Sequence, residues 1–250
     1  LLSIVPIENL PEIEPGCDLG VLFADALADH EPSETDILVI TQKIVSKARN
    51  RFVSLTQMDP SREAAELAAT TGKDPRFVEL VLRESIAVVR AVPGVLITRH
   101  RSGHVMANAG IDRSNLGQDD SDTVILLPVD SDFEARAIRE GIGNRFGCSP
   151  AIVISDSFGR PWRYGVTNVA IGADGMPAML DRRGGVDRDG RSLEVTQVCL
   201  ADMIASAAGL VMGEGAEGIP AALVRGMDFD ATQDIPASAI IRPVKEDLFR

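Results

Sequence analysis

The sequence predicts a mixed α+β fold, on three observations. Short apolar, β-branched runs alternate with longer stretches of helical period. Their order is not the strict strand–helix alternation of a doubly wound sheet, because strand-like residues 95–100 and 104–107 face each other across a hairpin-like Ser102-Gly103. The chain of 250 residues has ample interior for a core, and no Pro/Gly/Ser linker cuts it in two. The expectation is one domain over residues 1–250, with room for a smaller subdomain.

The elements follow in chain order. Residues 36–41 (DILVIT) form an apolar, β-branched run suited to a buried strand. Ser61 opens a helix with Glu63 and Glu66 in its first turns, where carboxylates complement the helix dipole. Asp74-Pro75 opens another, with Phe77, Val78, Val81, Leu82 and Ser85 on one face. The hairpin comes next, then a strand at 123–127 (TVILL) and a helix at 131–146 that Gly147 closes. A strand at 151–155 (AIVIS), a long helix at 195–212 stopped by Gly213, and a strand at 221–225 complete the series.

Composition removes several functions. With 25 Lys+Arg against 37 Asp+Glu, the formal net charge is -12, and no field draws in a phosphate backbone, so nucleic acid is not an expected partner. A small anion would need a local cluster of Arg, Lys, backbone amides or bound metal. No stretch approaches the ~18 uninterrupted apolar residues of a membrane span. Cys17, Cys148 and Cys199 lack metal or redox spacing and read as buried thiols of a cytoplasmic protein. Residues 1–6 are too short for a signal sequence. His30, His100 and His104 form no helical metal pair and read as surface or hairpin residues, and no Ser/His/Asp or Cys/His nucleophile arrangement is visible.

Five segments offer chemistry. In residues 155–163 (SDSFGRPWR), Asp156 and Ser157 follow a buried strand directly, where α/β proteins present ligands, while Arg160 and Arg163 can neutralise phosphate; an Asx turn is the plainer alternative. Residues 108–115 (NAGIDRSN) again follow a strand and add Asp112, so two carboxylates can share a cation; alone they would be a polar turn. Residues 212–220 contain Gly-x-Gly-x-x-Gly, but a helix precedes and a strand follows, with Glu214 and Glu217 where phosphates would sit, so this is no dinucleotide fingerprint. Glu214 can still serve a metal-bridged phosphate, the alternative being a helix cap and loop. Only four lysines face 21 arginines, yet Lys43 and Lys47 stand together after DILVIT, and no P-loop exists. Residues 181–191 carry four arginines among Gly and Asp, as in an anion clamp or a solvated loop.

Taken together, the chain resembles the coenzyme F420-0:L-glutamate ligase (F420 gamma-glutamyl ligase) family. The segments that carry the resemblance run in order from Ser3 to Gly226: LPEI with PG, DILVITQKIVSKA, PSREAAELA, GKDPRFVELVLRES, NAGIDRSN, LLPVD, ISDSFGRPWR with AIG, DRRGGVDRDGRSLEVT and LVMGEGAEGIPAALVRG. Ser157 stands where Thr is common, Cys17 where Asp is usual, and Arg49-Asn50 replaces Glu-Gly. None of these departures removes a metal ligand. The nitroreductase-like domain fused to some members is not expected.

The resemblance implies a cytoplasmic GTP-dependent ligase that joins L-glutamate to the lactyl carboxylate of F420-0 through an acyl phosphate and adds further gamma-linked glutamates. It implies the mixed sheet-and-helix fold of that family as an intertwined homodimer. It implies two divalent ions, Mg²⁺ or Mn²⁺, and allows a K⁺ ion. Asp112 and Asp156 match ligands of one divalent ion, Ser157 and Glu214 of the other. Leu10, Pro11, Glu12, Ile13, Gln42, Lys43, Lys47, Asn115, Met212, Gly213, Gly215 and Gly218 match nucleotide contacts. Asp112, Asp156 and Lys47 are the expected catalytic residues, with Arg160, Arg182 and Arg188 for the anionic precursor. Two other readings use the same acidic cluster: a metal-dependent phosphatase or nucleotide hydrolase, and a catalytically silent nucleotide-binding module.

Overall fold

The computed structural model describes residues 1–116 and 122–247. In chain order its elements are β1 (Ser3–Pro6), α1 (Leu19–Ala26), β2 (Ile37–Thr41), α2 (Gln42–Ala48), β3 (Phe52–Ser54), α3 (Arg62–Thr71), α4 (Pro75–Arg83), β4 (Ser85–Val92), β5 (Val95–His100), β6 (Val105–Ala107), β7 (Thr123–Ile125), α5 (Ser131–Phe146), β8 (Ala151–Arg160), β9 (Arg163–Asp174), β10 (Leu180–Asp181), β11 (Gln197–Val198), α6 (Leu200–Met212) and β12 (Ala221–Arg225). Helix starts are capped as their residue types dictate. Ser61 Oγ accepts from the Ala64 amide at 3.2 Å and Asp74 Oδ1 from the Arg76 amide at 2.8 Å.

A five-stranded sheet in the order β1-β12-β2-β8-β9 organises the molecule. Only β2 and β8 run parallel, in register from Ile37↔Ala151 to Thr41↔Ser155; the other pairs are antiparallel. The sheet is mixed and not doubly wound, and the hairpin expected at 95–107 forms as β5–β6 in a separate three-stranded sheet, β4-β5-β6. Because strand side chains alternate, Leu38, Ile40, Ile152, Ile154 and Leu223 face one core shared with α1 and α5. Ile37, Val39, Val153 and Val224 face a second core with Ala201, Ile204 and Ala208 of α6. Each such fully buried Val or Ile contributes about 1.5–3 kcal/mol. A third core, with Leu55, Phe77, Val78, Val81, Leu96 and Val124, ties α3 and α4 to β5 and β7.

On the first face α1 and α5 touch backbone to backbone. A Cβ added at Gly141 would stand 2.6 Å from the Gly20 Cα, so neither position has room for a side chain.

Several expectations need correction. The helix expected from residue 195 begins at Leu200, because β-branched Val195, Thr196 and Val198 favour extended backbone; the Arg182 amide donates to Thr196 O at 3.0 Å and Val198 pairs with Leu180. α4 ends at Arg83, and Ser85 opens β4 instead of continuing the helical face. The strand at 123–127 is shorter and joins β3 in a separate two-stranded sheet. His100 and His104 do flank the hairpin, the His100 amide donating to His104 O at 2.8 Å, but they are less exposed than a surface reading implies: His100 is 5% exposed and His104 is half-buried. The cysteines are free and half-buried, not fully buried. Among the described residues no helix is long and apolar enough to cross a membrane.

Candidate active site

Beyond the end of β2 the sheet opens into a cavity of about 640 Å³. Its walls come from residues 10–13, 41–47, 107–115 and 212–220, with Asp156, Ser157 and Asn168. Two features of the sheet place them. β2 stops at Thr41 and α2 begins at once, so Lys43 and Lys47, one turn apart, share a helical face. β8 does not stop there. It runs on through Asp156 and Ser157 to Arg160, paired only with β9, so these two residues are mid-strand and not at a strand end as the apolar run alone suggests. They still lie where the parallel sheet ends, because β2 gives out at Ser155.

Asp112 reaches the cavity from a strained loop. Asn108, Ala109 and Gly110 all have left-handed backbone, with φ of 53°, 54° and 71°. That conformation costs about 1–2 kcal/mol per non-glycine residue, a strain that packed surroundings have to hold in place. Past the turn, Asp112 pairs its backbone with Ile125, donating at 3.1 Å and accepting at 2.9 Å. Its carboxylate accepts from the Ser114 amide at 2.8 Å and hydroxyl at 2.9 Å, and lies 2.7 Å from Lys43 Nζ. Burial would raise the Asp112 pKa, but the Lys43 and Ser114 hydrogen bonds outweigh it and hold the carboxyl below its usual range.

Asp156 is tuned the other way. Burial, followed by repulsion from Asp112, pushes it up to about 7 against the hydrogen bonds from the Ser157 amide and the Gln42 side chain. Gln42 is itself oriented by Ser46, whose hydroxyl donates to its Oε1 at 2.9 Å.

Glu214 completes the cluster. Its Oε2 accepts from Ser157 Oγ at 2.6 Å and its Oε1 from Asn168 Nδ2 at 2.7 Å. Nearby, Lys47 pairs with Glu12, Asn115 Nδ2 reaches Gly215 O at 3.5 Å, and the Gly215 amide donates to Glu217 at 2.7 Å. The cavity wall thus holds Glu12, Asp112, Asp156, Glu214 and Glu217 against Lys43 and Lys47. Among the described residues no three His, Cys, Asp or Glu side chains converge as a cation cage. Ser157 touches Glu214 at 2.6 Å, and Asp112 lies in the same cavity as Asp156 and near enough to repel it. Such pairs fit an ion like Mg²⁺, which takes one or two protein oxygens and fills its shell with water and phosphate.

All the residues expected to hold nucleotide or metal therefore line one cavity. Arg160, Arg182 and Arg188 do not. Arg160 Nη2 donates to Tyr164 O at 3.0 Å near the tip of the β8–β9 hairpin, and Arg182 and Arg188 lie on the exposed loop between β10 and β11. Two site residues escape sequence reasoning. Ser114, which fastens Asp112 to Lys43, is visible only as the end of an Asp-x-Ser turn. Asn168 carries no local signal, since the hairpin register alone brings it opposite Ser157.

The chain matches the F420-0:Gamma-glutamyl ligase family over residues 8–226, a span that contains every wall of the cavity. It belongs to that family. The coenzyme F420:L-glutamate ligase of Methanopyrus kandleri is 44% identical over 254 residues, covering 100% of this chain and 98% of the relative. The enzymes of the same name from Methanothermobacter thermautotrophicus and Haloarcula marismortui are 39% and 40% identical, over 100% of this chain and 99% and 96% of theirs. Membership makes the chain an enzyme, a ligase, and sets aside the hydrolase and the silent binding module.

Proposed function

We propose that this ligase joins L-glutamate to the lactyl carboxylate of F420-0, with GTP as phosphoryl donor, and then adds further glutamates by gamma linkage. The observation that carries the reading is the charge of the cavity. A triphosphate there meets five carboxylates and only two lysines, so it enters with divalent cations or not at all. When bound, two Mg²⁺ or Mn²⁺ ions would neutralise phosphate oxygens and polarise the transferred phosphoryl group, one on Asp112 and Asp156, the other on Ser157 and Glu214. A K⁺ ion can add to this charge.

The chain's own groups do the rest. Residues 10–13, Asn115 and the 212–218 loop surround the nucleotide, while Lys43 and Lys47 meet its phosphates. The lactyl carboxylate oxygen attacks the γ-phosphorus and the bond to the β-phosphate oxygen breaks, giving acyl phosphate and GDP. The glutamate amine then attacks the acyl carbon, inorganic phosphate leaves, and nitrogen loses its proton to solvent. Arg160, Arg182 and Arg188, standing outside the nucleotide cavity, serve the anionic precursor. The working unit is a homodimer: β4 is a sheet edge with Ile86 and Val89 exposed at 62% and 48%, an apolar border that a second copy would cover.

Incubation with GTP, Mn²⁺, glutamate and F420-0, with products resolved by mass spectrometry, tests the reading. The expected products are glutamylated F420 and one GDP per glutamate added. GTP turnover indifferent to glutamate and precursor would overturn it.

A further inference from the structure

Glu214 is held differently from Asp112 and Glu12, the two cavity carboxylates that are paired with lysines. Asp112 is paired with Lys43 and Glu12 with Lys47, whereas no Lys or Arg among the described residues forms an ion pair with Glu214. Both of its oxygens accept instead from neutral donors, Ser157 Oγ at 2.6 Å and Asn168 Nδ2 at 2.7 Å. Neutral donors orient a carboxylate and leave its charge in place, the state in which it binds a cation. The Ser157 hydroxyl spends its proton on Glu214 and keeps its lone pairs.

Asn168 is in turn fixed from behind by α6. Its backbone oxygen accepts from Ser206 Oγ at 2.7 Å, and the same hydroxyl lies 2.8 Å from Thr167 Oγ1. Three residues on, and so on the same face of α6, stands Gly209. A Cβ there would fall 2.4 Å from Asn168 Nδ2 and 3.1 Å from its Cγ. The amide occupies the space that a side chain at 209 would fill. A glycine inside a helix costs about 1 kcal/mol relative to alanine, and here it opens the space over which the amide reaches Glu214.

We propose that Asn168, seated on Gly209, is a positioning residue that fixes Glu214 for the second divalent ion. This rests on the reading that Ser157 and Glu214 hold that ion. Asn168 acts through Glu214 and touches neither nucleotide nor precursor in this role. Removing such an outer partner typically weakens metal binding 10–100-fold.

The test is Mn²⁺ titration of the intact chain under saturating GDP, with free Mn²⁺ read by electron paramagnetic resonance and folding checked by thermal melting. Asn168→Ala and Gly209→Ala should each weaken one of two Mn²⁺ sites by about tenfold. The double variant should bind Mn²⁺ no more weakly than Asn168→Ala alone, since with alanine at 168 there is nothing for the new methyl to displace. Asn168→Ser, polar but too short to reach Glu214, carries the measurement if the alanine variant does not fold. Wild-type affinity at both sites in a folded position-168 variant, together with loss of one site in Glu214→Ala, overturns the role of Asn168 and leaves the site reading standing. Two unchanged sites in Glu214→Ala, or fewer than two in the wild type, overturn the site reading and the proposal with it.

Discussion

Lys43 Nζ stands 2.7 Å from Asp112 Oδ2 and also donates to the Ser114 carbonyl and hydroxyl at 3.0 and 3.1 Å. On the proposed reading, a divalent ion that takes Asp112 would meet this ammonium already on the carboxylate, so that the lysine and the ion would compete for it. Lys43→Met should therefore bind Mn²⁺ several-fold more tightly without nucleotide. Ligation should nonetheless slow by about 10²-fold, close to 3 kcal/mol of barrier, because the displaced ammonium no longer meets the phosphates. Metal titration and steady-state kinetics on the same preparation check both halves; unchanged Mn²⁺ affinity would show that the two do not compete.

Asp112→Asn and Asp156→Asn should each reduce turnover by at least about 10³-fold without unfolding the chain. Asp156 suffers both burial and repulsion from Asp112, so its neutral replacement should also raise the melting temperature of the metal-free protein at neutral pH. Calorimetry alongside the assay decides it, and near-wild-type activity in either folded variant removes the metal assignment.

On the proposed reading the phosphate charge would be met inside the cavity, which would leave the loop arginines to the precursor. Arg182→Ala and Arg188→Ala should raise the KM for F420-0 by roughly 3–10-fold, as expected for exposed charge-assisted contacts, with the KM for GTP unmoved. The reverse pattern would exchange their roles.

His104 ties stability to pH. Its ring packs edge-on to Phe158 with centroids 5.8 Å apart, its Nδ1 meets Ser102 Oγ at 2.8 Å, and its buried Nε2 finds no hydrogen-bond partner among the described residues. Burial, and then the nearby His100, lower its pKa from 6.5 to about 4, with Asp202 and Asp132 opposing. The unfolded chain thus takes up this proton before the folded one does. Stability is complete above pH 6.5 and is lost as pH falls toward 4, by on the order of 3 kcal/mol. Denaturant melts of wild type and His104→Gln across this window should differ in slope, and parallel curves would rule the histidine out.

The main strands could be read directly, since Ile37–Thr41 and the first half of β8 are continuous apolar runs that only a sheet covered on both faces accommodates. The glycine-rich segment after α6 was also legible as something other than a dinucleotide loop, from the elements on either side. What stayed hidden depends on pairing across distance. Asn168 meets Glu214 from 46 residues away, through a hairpin whose register no local pattern encodes. His104 reads as a hairpin residue and is one, but nothing local shows that Phe158 lies against it. The onset of α6 was misplaced because apolar periodicity continues through residues whose branched side chains prefer the short β10–β11 ladder.

β8 is paired on both sides from Ile152 to Ser155 and only with β9 from Asp156 to Arg160. Amide deuteration should divide the strand at that boundary, the inner half exchanging only with global unfolding and the outer half through local opening of the hairpin arm. Asp156 and Ser157 sit at the root of that arm. The doubly paired half of the strand fixes one flank of the proposed cation site, and the singly paired arm beyond it can open without unpairing the core that anchors it.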